Sequence, residues 1–481
     1  MKMKKYIKAI TCAFVLLQGL TGCDSWLDVK PVDKVLEDQL FETETGFKEA
    51  LNGVYIELNQ SSLYGGELMF NMVEILAQRY KISDVGNDKN VILYNYADTD
   101  VKKRIDAIWT KAYSLIMNCN LILKNADEKK EVFTGDNYNL IQGEALALRA
   151  MLHFDLLRLF GPVYAIHKDD LSICYNERFA YSASNLLPAV EVVGKILKDL
   201  DRAAELLAAD PIITEGPSAS DGIEGDNSLR YRNLRLNYYA VEALSARVYL
   251  YAGEKQKALE KARKVAEVQE QWFPWVKFND VMLESNKSRD FVFSTELVFA
   301  LQNRQRGDIF TNYFSSDLDA TKMLIPDENI LTNCFANDDD WRYTSMWQAP
   351  KDDKFKARCF HKYEKTETVK PHNYLLPMIR ISEMFFIIAE TTDDMDEART
   401  MLNRVRKNRG QIPLDENESI DVQSLVAAEY MREFWGEGQL FFYYKRLNKN
   451  AIPSARGGAD IEMDASKYCL PLPESETDYR N

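Results

Sequence analysis

The sequence predicts a mainly α-helical fold in which stacked pairs of helices support an irregular, loop-rich lobe. Three observations carry this. Apolar residues recur at helical spacing in the N-terminal half and again near the C-terminus. Small residues, an aromatic and a turn glycine fall at set intervals between Leu234 and Glu267. Regular periodicity is missing for about a hundred residues after Gln271. With 481 residues, 46% hydrophobic and 28% charged, the chain can bury a large core, and no Gly/Ser- or Pro-rich linker divides it.

The elements follow in order. Phe47, Ala50, Leu51, Val54, Tyr55 and Leu58 form one helix face, with Thr43 as N-cap and Glu44 in the first turn. Ile105, Ile108, Trp109, Ala112, Ile116, Cys119 and Leu123 form a second. The stretch from Leu140 to Phe160, dense in Ala, Leu and Arg, is a third long helix that stops at Gly161-Pro162. A fourth runs from Leu187 to Ala209, with Ile196, Leu200, Ala203, Leu206 and Leu207 on one face, and Asp210-Pro211 ends it. Residues 212–229, rich in Ser, Gly, Asp and Glu, predict an exposed loop.

Ala246, Tyr249, Gly253, Ala258 and Ala262 then stand where a tetratricopeptide unit has its small residues, its aromatic and its turn glycine. Two antiparallel helices in close approach are expected, and since one unit cannot bury both faces alone, the earlier helices are its neighbours. Beyond Gln271 only Thr295 to Leu301 reads as a strand, amid Trp272, Trp275, Tyr313, Trp341, Tyr343 and Trp347. Helices return from Ile379 to Glu390, from Asp396 to Lys407 and from Ser424 to Tyr444.

The N-terminus reads as an address. Lys2, Lys4, Lys5 and Lys8 precede an apolar run from Ala9 to Leu17, and Leu20-Thr21-Gly22-Cys23 follows, the pattern of a lipoprotein signal. Residues 1–22 would be removed and Cys23 would carry lipid, anchoring the chain to a membrane that the short apolar run cannot span. The formal net charge of −14 becomes still more negative once those four lysines leave, which argues against a nucleic-acid partner. Cys119, Cys174, Cys334, Cys359 and Cys469 are widely spaced without a CxxC pattern and read as small buried hydrophobes. The expected organisation is a signal over 1–22, a helical part over 23–270 and a part with the lobe and closing helices over 271–481.

Several segments together resemble the SusD/RagB family of nutrient-binding outer-membrane lipoproteins. These are CDSWLDVKP from Cys23, LFETETGFKEALNGVYIEL, IWTKAYSLIMNCNLIL and IQGEALALRAMLHFDLLRLFGPV, then Arg380 to Glu390 with Asn403, Val405 and Arg406, then Glu437-Gly438 and the closing YCLPLPESE. The resemblance implies an α-α superhelix of four tetratricopeptide-like units supporting the lobe. It also implies a lipid-anchored cell-surface location, a nutrient ligand such as an oligosaccharide or polysaccharide, a SusC-like TonB-dependent transporter as partner, and no cofactor. The chain departs from the family pattern at Gln439 to Arg446 and at Ala389-Glu390-Thr391, which marks a divergent branch and leaves the substrate class open.

No Gly-x-Ser-x-Gly, His-Glu-x-x-His, Gly-x-Gly-x-x-Gly or phosphate-loop motif is present. The 74 Asp and Glu keep glycoside hydrolysis open, because two carboxylates brought together by folding leave no local signature. A peptide-binding or assembly role for the helical stack is a third reading. Four histidines that do not cluster predict no metal site; His153 is expected to pack or hydrogen-bond between helices. Asp338-Asp339-Asp340 lacks the glycine and distal Glu of a calcium loop and reads as solvated. Glu144, Arg149, Glu383 and Arg406 read as paired charges of the scaffold. Sugar rings present apolar C–H faces, so exposed aromatics near polar groups are the candidate ligand contacts: Tyr80, Tyr94 and Tyr96, and Trp341, Tyr343 and Trp347.

Overall fold

The computed structural model describes residues 37–179, 184–217, 229–335, 339–350 and 357–478; the signal and Cys23 lie outside them. Helix α1 (Glu44–Glu57) starts at Thr43, whose side chain accepts from the Gly46 N–H at 3.2 Å. Then come α2 (Thr99–Glu128), α3 (Asn137–Phe160), α4 (Ala189–Leu206), α5 (Tyr238–Tyr251), α6 (Lys255–Ala266), α7 (Ile381–Thr391), α8 (Met395–Lys407) and α9 (Val422–Glu433). From α1 to α9 each packs on the next, and α6 packs on α7 although residues 267–380 intervene in sequence. The lobe is thus an insertion between two neighbouring layers of a continuous helical stack.

Two helices form the axis of the body. Every residue of α3 from Leu140 to Phe160 is buried, and so is all of α7. Both can sit inside because the charges they carry are paired there, Arg149 with Asp199, Arg158 with Asp155, Glu144 with Arg232, Glu383 with Arg247 and Glu390 with Arg446, so neither needs a face toward water. The α5–α6 hairpin turns at Gly253, whose φ of 78° is left-handed, and Ala246, Ala258 and Ala262 are buried so that the helices approach closely. Tyr249 fills the space beside them, as the spacing predicts.

In the lobe, strand β1 (Leu297–Gln302) pairs antiparallel with Leu375–Arg380, with Leu301 opposite Leu376. The helix expected from Ile379 therefore begins at Ile381, since Ile379 and Arg380 belong to that strand. The helix expected from Ser424 to Tyr444 is broken into α9 and a short helix, Leu440–Arg446. Gly436 and Gly438 make the break, with φ of 70° and 67°. Their N–H groups donate to the two oxygens of the buried Glu74 carboxylate at 3.1 and 2.9 Å, a backbone nest around an anion. A Cβ at Gly438 would lie 2.2 Å from the Leu68 carbonyl oxygen, so only glycine fits.

The scaffold charges pair largely as expected. Arg149 grips Asp199 of α4 at 2.7 Å, Arg232 meets Glu144 at 2.7 Å, and Arg247 meets Glu383 at 2.6 Å. Arg406 instead donates to the Ile412 carbonyl at 2.8 Å and stands 3.6 Å from Glu429. His153 is fully buried and stacked on Tyr175; its Nε2 accepts from the Asn176 N–H at 3.1 Å, which leaves Nδ1 to donate to the Arg149 carbonyl at 2.8 Å. Burial pushes its pKa down to about 3, so the ring is neutral. No disulfide joins the five described cysteines.

Of the acidic run expected to be solvated, Asp338 lies outside the described residues and Asp339 is exposed, but Asp340 corrects the expectation: Asp340 is fully buried and holds Arg342 at 2.6 Å. Arg342 also reaches Glu429 and Glu433 at 2.9 and 2.7 Å, Glu433 takes Arg380 and Arg409 at 2.7 and 2.6 Å, and Arg409 reaches Glu296 at 2.5 Å. Glu437 joins this network through Arg380 at 3.0 Å and through the buried Lys362. Burial alone would raise the Glu433 carboxyl, but Arg380, Arg409 and Arg342 override it and hold it well below the usual range. The lobe is clamped to the closing helices by ions out of contact with water. Among the described residues no helix is long and apolar enough to cross a membrane.

Candidate functional site

Of the six aromatics singled out from sequence, four are in the core and two are half-buried. Tyr80 is fully buried against Trp435 and Phe314, and Trp347 packs on the same Trp435 at 4.9 Å and on Phe360 at 4.7 Å. The two expected clusters therefore meet through Trp435. Tyr343 is buried on Phe335, and Tyr96 is buried with its hydroxyl donating to the Lys467 carbonyl at 2.6 Å. Tyr94 is half-buried, its hydroxyl donating to the Leu76 carbonyl at 2.8 Å, and Trp341 is half-buried against Phe278. A ring whose faces are already covered has nothing to offer a sugar, which corrects the stacking role expected of Tyr80, Tyr96, Tyr343 and Trp347. The physical reason is that irregular segments, both the lobe and the stretch between α1 and α2, have little regular hydrogen bonding and are anchored by their large side chains.

A different set of residues borders open space. A cleft of about 1030 Å³ lies where the lobe meets the stack, between the turn Arg232–Leu234, the helix Gln269–Trp272, the segment 280–297 and the turn Pro371–Tyr374. Each wall has an identifiable cause. Arg232 is drawn into the core by Asp210 (2.6 and 2.9 Å) and Glu144, so its neighbours Tyr231 and Asn233 turn to the cleft. Tyr231 is 51% exposed and left-handed at φ 51°, an unfavourable conformation for a residue with a Cβ, held here by the ion pairs next to it.

Trp272 lies across Gly216, where a Cβ would come within 2.4 Å of its ring, so this approach also requires glycine. On the far wall, Arg306 donates to the His372 carbonyl at 2.9 Å and the Leu375 carbonyl at 3.3 Å, bracing the turn that presents His372 and Tyr374. Asn373 fastens the same turn, accepting from the Lys370 N–H at 2.8 Å and from the Thr366 hydroxyl at 3.0 Å. Asp290 at the floor accepts the N–H groups of Val292 (3.2 Å) and Ser294 (2.7 Å).

Two buried side-chain atoms in this lining, Asn233 Oδ1 and His372 Nε2, have no hydrogen-bond partner. Buried polar atoms are rarely left so, and where they are, a ligand or water is the usual complement. Burial lowers the His372 imidazole from its ordinary value; nearby Asp290 and hydrogen bonding of the ring to the Ser288 and Arg289 backbone oppose this, and Arg306 adds to it. The cleft thus offers three aromatic rings, Tyr231, Trp272 and Tyr374, with amides and hydroxyls between them. Among the described residues no three His, Cys, Asp or Glu gather as a metal site.

Sequence comparison adds what the geometry does not carry. A family model described as starch-binding associating with outer membrane matches residues 25–220, and the SusD family model matches residues 299–478. The chain belongs to the SusD/RagB family. Among relatives of this SusD/RagB protein, SusD-like protein P38 of Formosa agariphila is 22% identical over 93% of each chain. SusD-like protein P2 of the same organism is 27% identical over 54% of this chain and 46% of its own length, so that match spans about half of the relative. A SusD superfamily protein from Bacteroides thetaiotaomicron superposes with a TM-score of 0.73 at 21% identity, covering 91% of this chain and 98% of its own. Surface glycan-binding protein A from the same organism, in complex with laminarihexaose, gives 0.65 at 17% identity over 91% and 98% of the two chains. The fold is that of these helical proteins.

Of the cleft residues, Trp272 was noticeable in the sequence as one of the tryptophans of the irregular stretch. Tyr231, Asn233, His372 and Tyr374 were not singled out. The outward turn of Tyr231 depends on ion pairs that its neighbour makes with Glu144 and Asp210, and no local pattern encodes that.

Proposed function

We propose that the protein is a surface lipoprotein of the outer membrane, anchored by lipid at Cys23, that binds an oligosaccharide or polysaccharide in this cleft and delivers it to a SusC-like TonB-dependent transporter. The observation that carries the binding role is the cleft itself, with aromatic faces of Tyr231, Trp272 and Tyr374 beside the unpartnered Asn233 Oδ1 and His372 Nε2. Flat rings stack on sugar C–H faces, while hydroxyls complete the open polar atoms. The outer-membrane description of the family and a glycan-bound structural neighbour support the same reading. Leu20-Thr21-Gly22-Cys23 supports the anchor.

Binding is favoured over hydrolysis at this site because Asp290 is already committed to two backbone N–H groups. Glu215 and Asp280 also line the cleft, which keeps a glycosidase as the second reading. Calorimetry on the chain truncated just after Cys23, against intact polysaccharides with product analysis of each mixture, separates the two. Binding heat that is lost in Trp272→Ala and Tyr231→Ala and kept in Trp341→Ala and Tyr94→Ala is expected. New reducing ends would establish hydrolysis instead, and retention of heat in both cleft variants would move the site elsewhere.

A further inference from the structure

The charge and shape of the cleft narrow the class of glycan, an inference that rests on the glycan-binding reading above. Among the described residues, three carboxylates, Glu215, Asp280 and Asp290, line it against one lysine, Lys370, and no arginine. Recognition of a uronate or sulfate ester relies on guanidinium forks that bind planar oxyanions through paired N–H groups. Of the described arginines beside the lining residues, Arg232 is held by Asp210 and Glu144, Arg306 donates to backbone carbonyls and Arg289 lies over the Phe291 ring at 5.0 Å; neither these three nor Arg230 is among the residues that line the cleft. Beside the carboxylates and Lys370 the polar lining is uncharged: the amides of Asn233, Gln271 and Asn286 and the hydroxyls of Ser288 and Thr295, of which the Ser288 hydroxyl donates to Asn286 Oδ1 at 3.0 Å. These match the donor and acceptor pattern of sugar hydroxyls.

Two more observations agree. The chain carries a formal net charge of −14, so its long-range field opposes the approach of a polyanion. The cleft of about 1030 Å³ stands at the top of the roughly 300–1,000 Å³ range of small-molecule sites, and three rings from separate elements suit several sugar units better than one. We infer that the cleft selects an uncharged oligosaccharide several units long, and discriminates against uronate-rich and sulfated glycans through the carboxylates of Glu215, Asp280 and Asp290.

The test is calorimetry of the same truncated chain against neutral oligosaccharides (glucan, xylan and mannan series) and against oligogalacturonates and sulfated galactans. Each is measured at ionic strengths of roughly 0.01 and 0.15 M, where screening of exposed charges differs strongly. Binding of a neutral series with affinity that rises with chain length and is insensitive to salt is expected, with charged oligomers at least about tenfold weaker, a difference of about 1.4 kcal/mol. Asp280→Lys should admit oligogalacturonates in a salt-sensitive manner. Tighter wild-type binding of an anionic series, weakened by salt and by Lys370→Ala, would overturn this inference while leaving the glycan reading intact. Silence across both series would overturn the glycan reading and this inference with it.

Discussion

The helical stack and the junction between lobe and closing helices are both dry, yet they are held by different chemistry. In the stack, α3, α4, α5 and α6 pack in succession through small apolar residues, with Ala145, Ala147, Ala150, Ala203, Ala243, Ala246, Ala258 and Ala262 all buried, and charge pairs such as Arg149–Asp199 are interspersed. In the junction, Arg342, Arg380 and Arg409 share Asp340, Glu296, Glu429, Glu433 and Glu437 in one connected network. Apolar interfaces are non-directional and lose stability in increments. A buried ion network is directional, and removing one member leaves the others charged and unpaired. Its value here is less in added stability than in fixing one placement for the lobe, and hence for the cleft wall that the lobe supplies.

Three substitutions would break or sharpen that contrast. Arg409→Met leaves the buried Glu296 without its ion-pair partner and takes one of three arginines from Glu433, and is expected to cost about 3–5 kcal/mol, seen as a lower midpoint in urea, with proteolytic cuts in residues 297–380 appearing before cuts in the stack. Cuts appearing first in α3 or α5 would show that the two regions are not separately held. Ala262→Leu overfills the α5–α6–α7 contact and should cost about 1–3 kcal/mol, leaving the cleft and its ligand binding unchanged.

The smallest effect depends on pH. His153 binds a proton at about 3 when folded against 6.5 when unfolded, so its stability contribution is complete above 6.5 and is lost as pH falls from there toward 3. At pH 5 the loss is about 2 kcal/mol relative to pH 7.5, and His153→Gln should remove that part of the slope in melting temperature. An unchanged slope in the variant would place the acid sensitivity in the carboxylates of the junction.

The parts legible in advance were those with local codes. Thr43 as cap, the Gly161 stop, the Ala246–Tyr249–Gly253–Ala258–Ala262 hairpin and the strand near Leu297 all follow from spacing within one element. The failures share a cause. Ile379 and Arg380 carry helix-like periodicity but pair with β1, and the Gly436–Gly438 break serves Glu74, hundreds of residues away. Tyr80 and Trp347 look like exposed loop aromatics, yet they converge on Trp435.

The sequence by itself determined the helical class, the order of the helices and the family, because each is written in periodicity or in short contiguous motifs. Only the tertiary structure decided which aromatics are core and which face open space, how the lobe is clamped, and where a ligand would lie. Those outcomes depend on partners distant in the chain, such as Glu144 and Asp210 for Arg232, and on Arg306 for the turn at His372, and burial at any one position is a property of all of them together.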